Sequence, residues 1–235
     1  MGHPPVVDPG IWSLFKAIAS GDRERVLRLI DATPRLASDA IRTGGSRQTS
    51  VPYFLDSVER QVYAGDTALC IAAAAYRRDI AEALVAKHAN VAARNRRGAE
   101  PLHSAAVGNP GSKRWNPDAQ VATITYLIGA GADPNAADKN GATPLHRAAR
   151  TRCAAAISAL LAHGADYSRR NKNGSTPLDV SVVNSGRGGT GSYAAVVQQH
   201  EIVKILVEAG ARLSDTRYDK DGDANETDDA GDDHA

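Results

Sequence analysis

Apolar residues recur along this chain in pairs of short segments at helical spacing, with small or polar breaks between them. Ile11, Leu14, Phe15 and Ile18 lie on one helical face. Ser20-Gly21-Asp22 interrupts it, and Val26, Leu27, Leu29 and Ile30 begin a second face that Thr33-Pro34 closes. Arg23, Glu24, Arg25 and Arg28 occupy the other side of that second segment, so the pair presents one apolar and one wet surface. The pairing returns downstream: Thr67 to Ala75 and Ile80 to Lys87 read as an inner and an outer helix. The last outer helix is predicted over Glu201 to Val207, ending at Gly210.

The inner segments open alike. Asp66-Thr67-Ala68-Leu69-Cys70, Glu100-Pro101-Leu102-His103, Thr143-Pro144-Leu145-His146 and Thr176-Pro177-Leu178-Asp179 are copies of one signature. Gly131-Ala132-Asp133, Gly164-Ala165-Asp166 and Gly210-Ala211-Arg212 close the later units, and His88-Ala89-Asn90 stands in that place in the first. Leu69 to Leu102 and Leu145 to Leu178 are each 33 residues, whereas Leu102 to Leu145 is 43, so that unit carries an insertion. A unit repeating at this period buries its apolar face by stacking on its neighbours.

These residues resemble the ankyrin repeat, with a period of about 33 and a helix-opening signature T-P-L-H-x-A. The copy from Asp138 to Ala165 holds Gly141, Thr143, Pro144, Leu145, His146, Ala148, Ala149, Leu160, Leu161, Gly164 and Ala165 in register. The resemblance spans roughly residues 11–215 and implies an all-α solenoid: a helical cap plus four repeats, with three loop insertions. The boundaries read as an extension at 1–10, a cap at 11–38, a long loop at 39–64, and repeats at 65–94, 95–137, 138–170 and 171–215. Residues 216–235 form an acidic tail, predicted to be disordered because nothing larger than alanine is apolar after Tyr218. The second and third insertions, near Asn109–Asp118 and Ser185–Tyr193, are predicted on one edge, roughly 20 Å apart.

Composition changes the picture in two respects. Only 5% of residues are aromatic against 42% hydrophobic, so the core must be closely packed Ala, Leu, Ile and Val. The net charge of +1 hides a division: the residues from Asp215 onward hold nine acidic and two basic side chains, and the preceding 214 hold 18 and 26. A basic body with an acidic tail points to an anionic partner, or to the tail as a rival occupant of the same face. Cys70 and Cys153 fall in different units without pairing spacing, which leads to the expectation of a reducing, cytoplasmic compartment. Arg exceeds Lys 21 to 7, as in a GC-rich bacterial source. No leader-like start and no run of eighteen apolar residues is visible, so no membrane association is expected.

Candidate chemistry is sparse. The resemblance assigns His103 and His146 to hydrogen bonds with neighbouring backbone, and no His/Cys spacing fits a metal. Asp219-Lys220-Asp221-Gly222-Asp223 lacks the glycine and distal Glu of a calcium loop. The glycine run from Gly186 to Gly191 lacks the Lys-Ser/Thr ending of a phosphate loop. No catalytic residue, metal or cofactor is assigned. The resemblance places Tyr63, Asp66, Arg96, Arg97, Lys139, Arg150 and Lys172 on the finger turns and inner-helix ends that face the groove. Acidic side chains are nearly absent from these positions, and Arg offers a rigid fork to carboxylates. Tyr53, Phe54, Trp115 and Tyr193 lie in insertions, where they either anchor an interface or fold back on the solenoid.

The expected function is protein–protein interaction by a monomer, through a basic concave groove and finger loops, with a partner of acidic surface. Nucleic acid is a minor candidate, because no nucleic-acid-binding signature accompanies the basic stripe. The alternative is an enzyme or small-molecule binder with a pocket under the 42–62 loop, using Asp56, Glu59, Arg60, Tyr53 or Tyr63.

Overall fold

The computed structural model describes residues 8–45, 51–183 and 192–213. The tail from residue 214, the amino-terminal seven residues and most of the glycine-rich third insertion therefore lie outside the described residues.

The cap forms as its pattern requires. α1 (Pro9–Ser20) starts on Asp8, whose carboxylate accepts from the N–H of Gly10. It stops at Gly21, which takes a left-handed conformation. Asp22 then caps α2 (Arg23–Ala32) by accepting from Arg25 N–H. Val26 and Ile30 of α2 are buried, while Leu27 and Leu29 are half-buried.

Four further helix pairs follow: α3 (Ala68–Ala74) with α4 (Arg78–Ala86), α5 (Pro101–Ala105) with α6 (Pro117–Gly129), α7 (Pro144–Thr151) with α8 (Ala154–Ala162), and α9 (Pro177–Val182) with α10 (Tyr193–Glu208). α1, α3, α5, α7 and α9 stack as an inner layer, and α2, α4, α6, α8 and α10 as an outer one. Each inner helix opens on its signature. Thr143 and Thr176 accept from the N–H three residues on, and proline fills the first helical position, where no N–H partner is needed. Leu69, Leu102, Leu145 and Leu178 are buried in the inner layer. Ile80, Leu84, Ile124, Leu127, Ile157, Leu160, Ile202 and Leu206 pack against them from the outer layer. Among the described residues the molecule is an all-α solenoid apart from one small hairpin.

That hairpin departs from the expected loop. β1 (Phe54–Leu55) and β2 (Arg60–Gln61) pair antiparallel within residues 39–64, and Ala40 bridges to Thr67. Tyr53, Leu55 and Val62 turn inward, and the Tyr53 ring meets Trp12 of the cap edge-on at 6.3 Å. Two further expectations are corrected. α10 begins at Tyr193, eight residues before the predicted Glu201, because Ser192 supplies an N-cap to Ala195 N–H. The second insertion is not held 20 Å from the end of the third: Gly111 lies against Ser192, so a Cβ there would sit 3.2 Å from its hydroxyl, and the rest of the third insertion lies outside the described residues. The ten extra residues of the second insertion reach across the intervening unit.

Candidate functional site

The finger turns are built by one device. The side chains of Asn95, Asp138 and Asn171 each accept from backbone N–H groups two and four residues on. This closes a turn whose glycine has positive φ. Successive fingers are then tied by backbone: Arg96 N–H to Ala64 O at 2.7 Å, Lys139 N–H to Arg97 O at 3.0 Å and Lys172 N–H to Asn140 O at 2.9 Å. The fingers thus form one continuous edge, from which Arg96, Lys139 and Lys172 project.

Between this edge and the inner helices lies a cleft of about 800 Å³. Its floor comes from the ends of α3, α5 and α7, through Tyr76, Ser104, Arg147 and Arg150. The β1–β2 hairpin and the second insertion arch over it. The two are clasped: Glu59, at the hairpin tip, accepts from Asn109 Nδ2 at 3.3 Å and Ser112 Oγ at 3.2 Å. Arg114 donates to the Asp56 carbonyl and lies 3.9 Å from the Glu59 carboxylate. From below, Arg60 Nη2 donates to Ser104 Oγ at 3.0 Å and stands 3.6 Å from Asp66.

Six guanidiniums line the cleft, from Arg60, Arg77, Arg97, Arg114, Arg147 and Arg150, against the single carboxylate of Glu59. Arg147 is 8% exposed and paired with Asp138. Burial alone would push the Asp138 carboxyl up, but Arg147 and the N–H groups of Asn140 and Ala142 hold it below the ordinary carboxylate value. Beside the cleft, the Tyr63 ring carries the Arg96 and Arg97 guanidiniums at 5.5 and 5.1 Å. Arg97 also donates to the Tyr63 hydroxyl at 3.2 Å.

Of the residues singled out in the sequence, Tyr63, Arg97, Arg150, Trp115 and Phe54 line this cleft. Arg96 is tied back to the Gly45 carbonyl, and Lys139 and Lys172 stand on the open fingers. Tyr193 is 86% exposed and lines no part of the cleft. Asp66 and Tyr53 are buried, so neither meets a partner on this face. Asp66 accepts from Asn95 Nδ2 and Tyr63 N–H, and Tyr53 seats the hairpin on the cap. Trp115 takes both roles: its indole N–H donates to Gln120 while its ring is only half-buried at the cleft wall. Tyr76, Arg77 and Arg114 were not anticipated. The only local signal was a bulky residue between two helices at Tyr76, where φ is 55°.

The signature histidines bind as the resemblance implied. His103 Nε2 meets Ala142 O and His146 Nε2 meets Ser175 O, each at 3.0 Å, while their Nδ1 atoms accept from Glu100 and Thr143 N–H. Each unit is thereby sewn to the next. A family model described as ankyrin repeats in three copies matches residues 118–217, and the single ankyrin-repeat model matches residues 64–96. The chain belongs to the ankyrin-repeat family. Ankyrin repeats generally mediate protein–protein interaction. A search of curated proteins finds no match to the chain. Within this ankyrin-repeat protein, both pieces of the arch, at residues 54–61 and 109–116, fall outside the matched spans. Among the described residues no group of acidic, His or Cys side chains is placed to hold a metal. No described helix is long and apolar enough to cross a membrane.

Proposed function

We propose that the chain is an interaction module that receives an acidic surface of another protein on its concave face. The one-sided charge of that face carries the reading: guanidiniums from three successive units converge on the groove with one carboxylate among them. Guanidiniums fixed by ion pairs and stacking are oriented before a partner arrives, which lowers the ordering cost of binding. Lys139 and Lys172 continue the positive edge along the fingers. Groups held this way recognise carboxylates by geometry and speed encounter by long-range attraction.

The test is affinity capture from lysate of the source cell with the full chain and with an Arg96→Glu, Arg97→Glu, Arg150→Glu variant whose helical circular dichroism is unchanged. A protein with an acidic surface should be retained by the native chain and lost by the variant. Equal retention by both chains would move the interface off this face, and retention only of nucleic acid would replace the protein partner altogether.

A further inference from the structure

We propose that the arched cleft is a binding site for a small ligand carrying at least two negative charges on a partly apolar body. The cleft shares Arg97 and Arg150 with the protein-binding reading, so the two readings are told apart by Lys139 and Lys172 on the open fingers.

Three observations lead there. The first is size: a half-open cleft of about 800 Å³ is within the range that small-molecule sites use, and the contacts of Glu59 with Asn109 and Ser112 lie at its wall. The second is charge. Among the described residues, the lining and the two paired carboxylates beneath it, Asp66 and Asp138, hold six guanidiniums against three carboxylates. The third is unspent donor capacity. Arg60 and Arg147 each give part of the guanidinium to a carboxylate, yet their buried Nε–H groups meet no acceptor among the described residues. Buried donors are normally satisfied, so two orphans at one cleft mark where an anionic oxygen belongs.

Phe54, Tyr63 and Trp115 add ring surface to the walls, which suits an apolar body between the charges. The single lining carboxylate, Glu59, is exposed and committed to the clasp. Carboxylates and phosphate esters share the required chemistry, so the probes must separate them.

The full chain is titrated calorimetrically at low salt with citrate and, separately, with phenyl phosphate. At least one should bind at a single site with a dissociation constant of about 1 mM or tighter. Citrate alone identifies a carboxylate ligand, phenyl phosphate alone a phosphate ester, and both a site that reads charge. Replacing the solvent-reaching pair, Arg97→Gln with Arg150→Gln, should weaken binding by about tenfold or more, since each removes charge-assisted hydrogen bonds. Lys139→Gln with Lys172→Gln, on the open fingers, should change it less than about twofold. Glu59→Ala is the sharpest arm, because it removes a negative charge yet should weaken binding by opening the arch. The proposal is overturned if neither probe binds at about 10 mM, where even a millimolar site is mostly filled. It is also overturned if affinity survives the double Arg variant or rises in Glu59→Ala. A native chain that captures an acidic protein but binds neither probe overturns this proposal and leaves the protein-binding reading, and one that binds a probe but captures no acidic protein does the converse.

Discussion

His88 holds a left-handed backbone, φ 65°, at the place where Gly131, Gly164 and Gly210 close the later units with φ between 82° and 102°. A side chain at such a position costs about 1 kcal/mol that glycine avoids. His88→Gly should therefore stabilise the chain by about 0.5–1 kcal/mol and raise the melting midpoint by about 2 °C in calorimetry. An unchanged or lower midpoint would show that the imidazole contributes a contact outweighing the strain. His103 has the opposite character. Burial pushes its pKa from 6.5 down to about 4, so the folded chain resists the proton that the unfolded chain accepts. The stability it contributes is complete above pH 6.5 and is lost as pH falls from there towards 4, by something on the order of 3 kcal/mol. Asp138, held low by Arg147, acts with the same sign in acid. Urea midpoints measured across that range should fall steadily, and His103→Gln should flatten the slope.

At the scale of elements, the fingers and inner helices were legible because their turn chemistry is local. Asn95, Asp138 and Asn171 cap their own turns, and proline with threonine starts the helices beside them. The hairpin was not legible. Its strands are two residues each, too short for any alternation to register, and its position depends on Glu59 meeting residues some fifty positions away. Gly65 joins the two regimes: its φ is 85°, and a Cβ there would lie 2.8 Å from the Asn95 Cα. Gly65→Ala should cost about 2 kcal/mol or more in urea unfolding, since both the dihedral and the backbone contact must give way. A loss below about half that would mean the first finger relaxes without disturbing the second.

At the scale of the whole molecule, contacts run between neighbouring helix pairs, and the end units each have one neighbour. Stability in such a stack is close to a sum of unit and interface contributions. Amide hydrogen exchange should therefore be slowest in α5 to α8 and faster in α1, α2, α9 and α10. Uniform protection from end to end would instead make the solenoid one all-or-none unit. The arch adds a link outside this order, because Glu59 and Arg114 join the hairpin before the first repeat to the middle of the second.

Periodicity determined the stacked helix pairs and the place of each signature, because the units repeat the same short-range chemistry, and the resemblance that the signatures carry supplied the roles of His103 and His146. The resemblance, mapped by register, also pointed to Arg97 and Arg150 at the groove and to Lys139 and Lys172 on the fingers. Only the tertiary structure decided that Asp66 and Tyr53 are interior supports, that α10 starts early, and that two insertions close over the groove. Those outcomes rest on pairings between segments far apart in the chain, whose geometry no local pattern encodes: Tyr53 on Trp12, Ser192 against Gly111, Glu59 on Asn109 and Ser112.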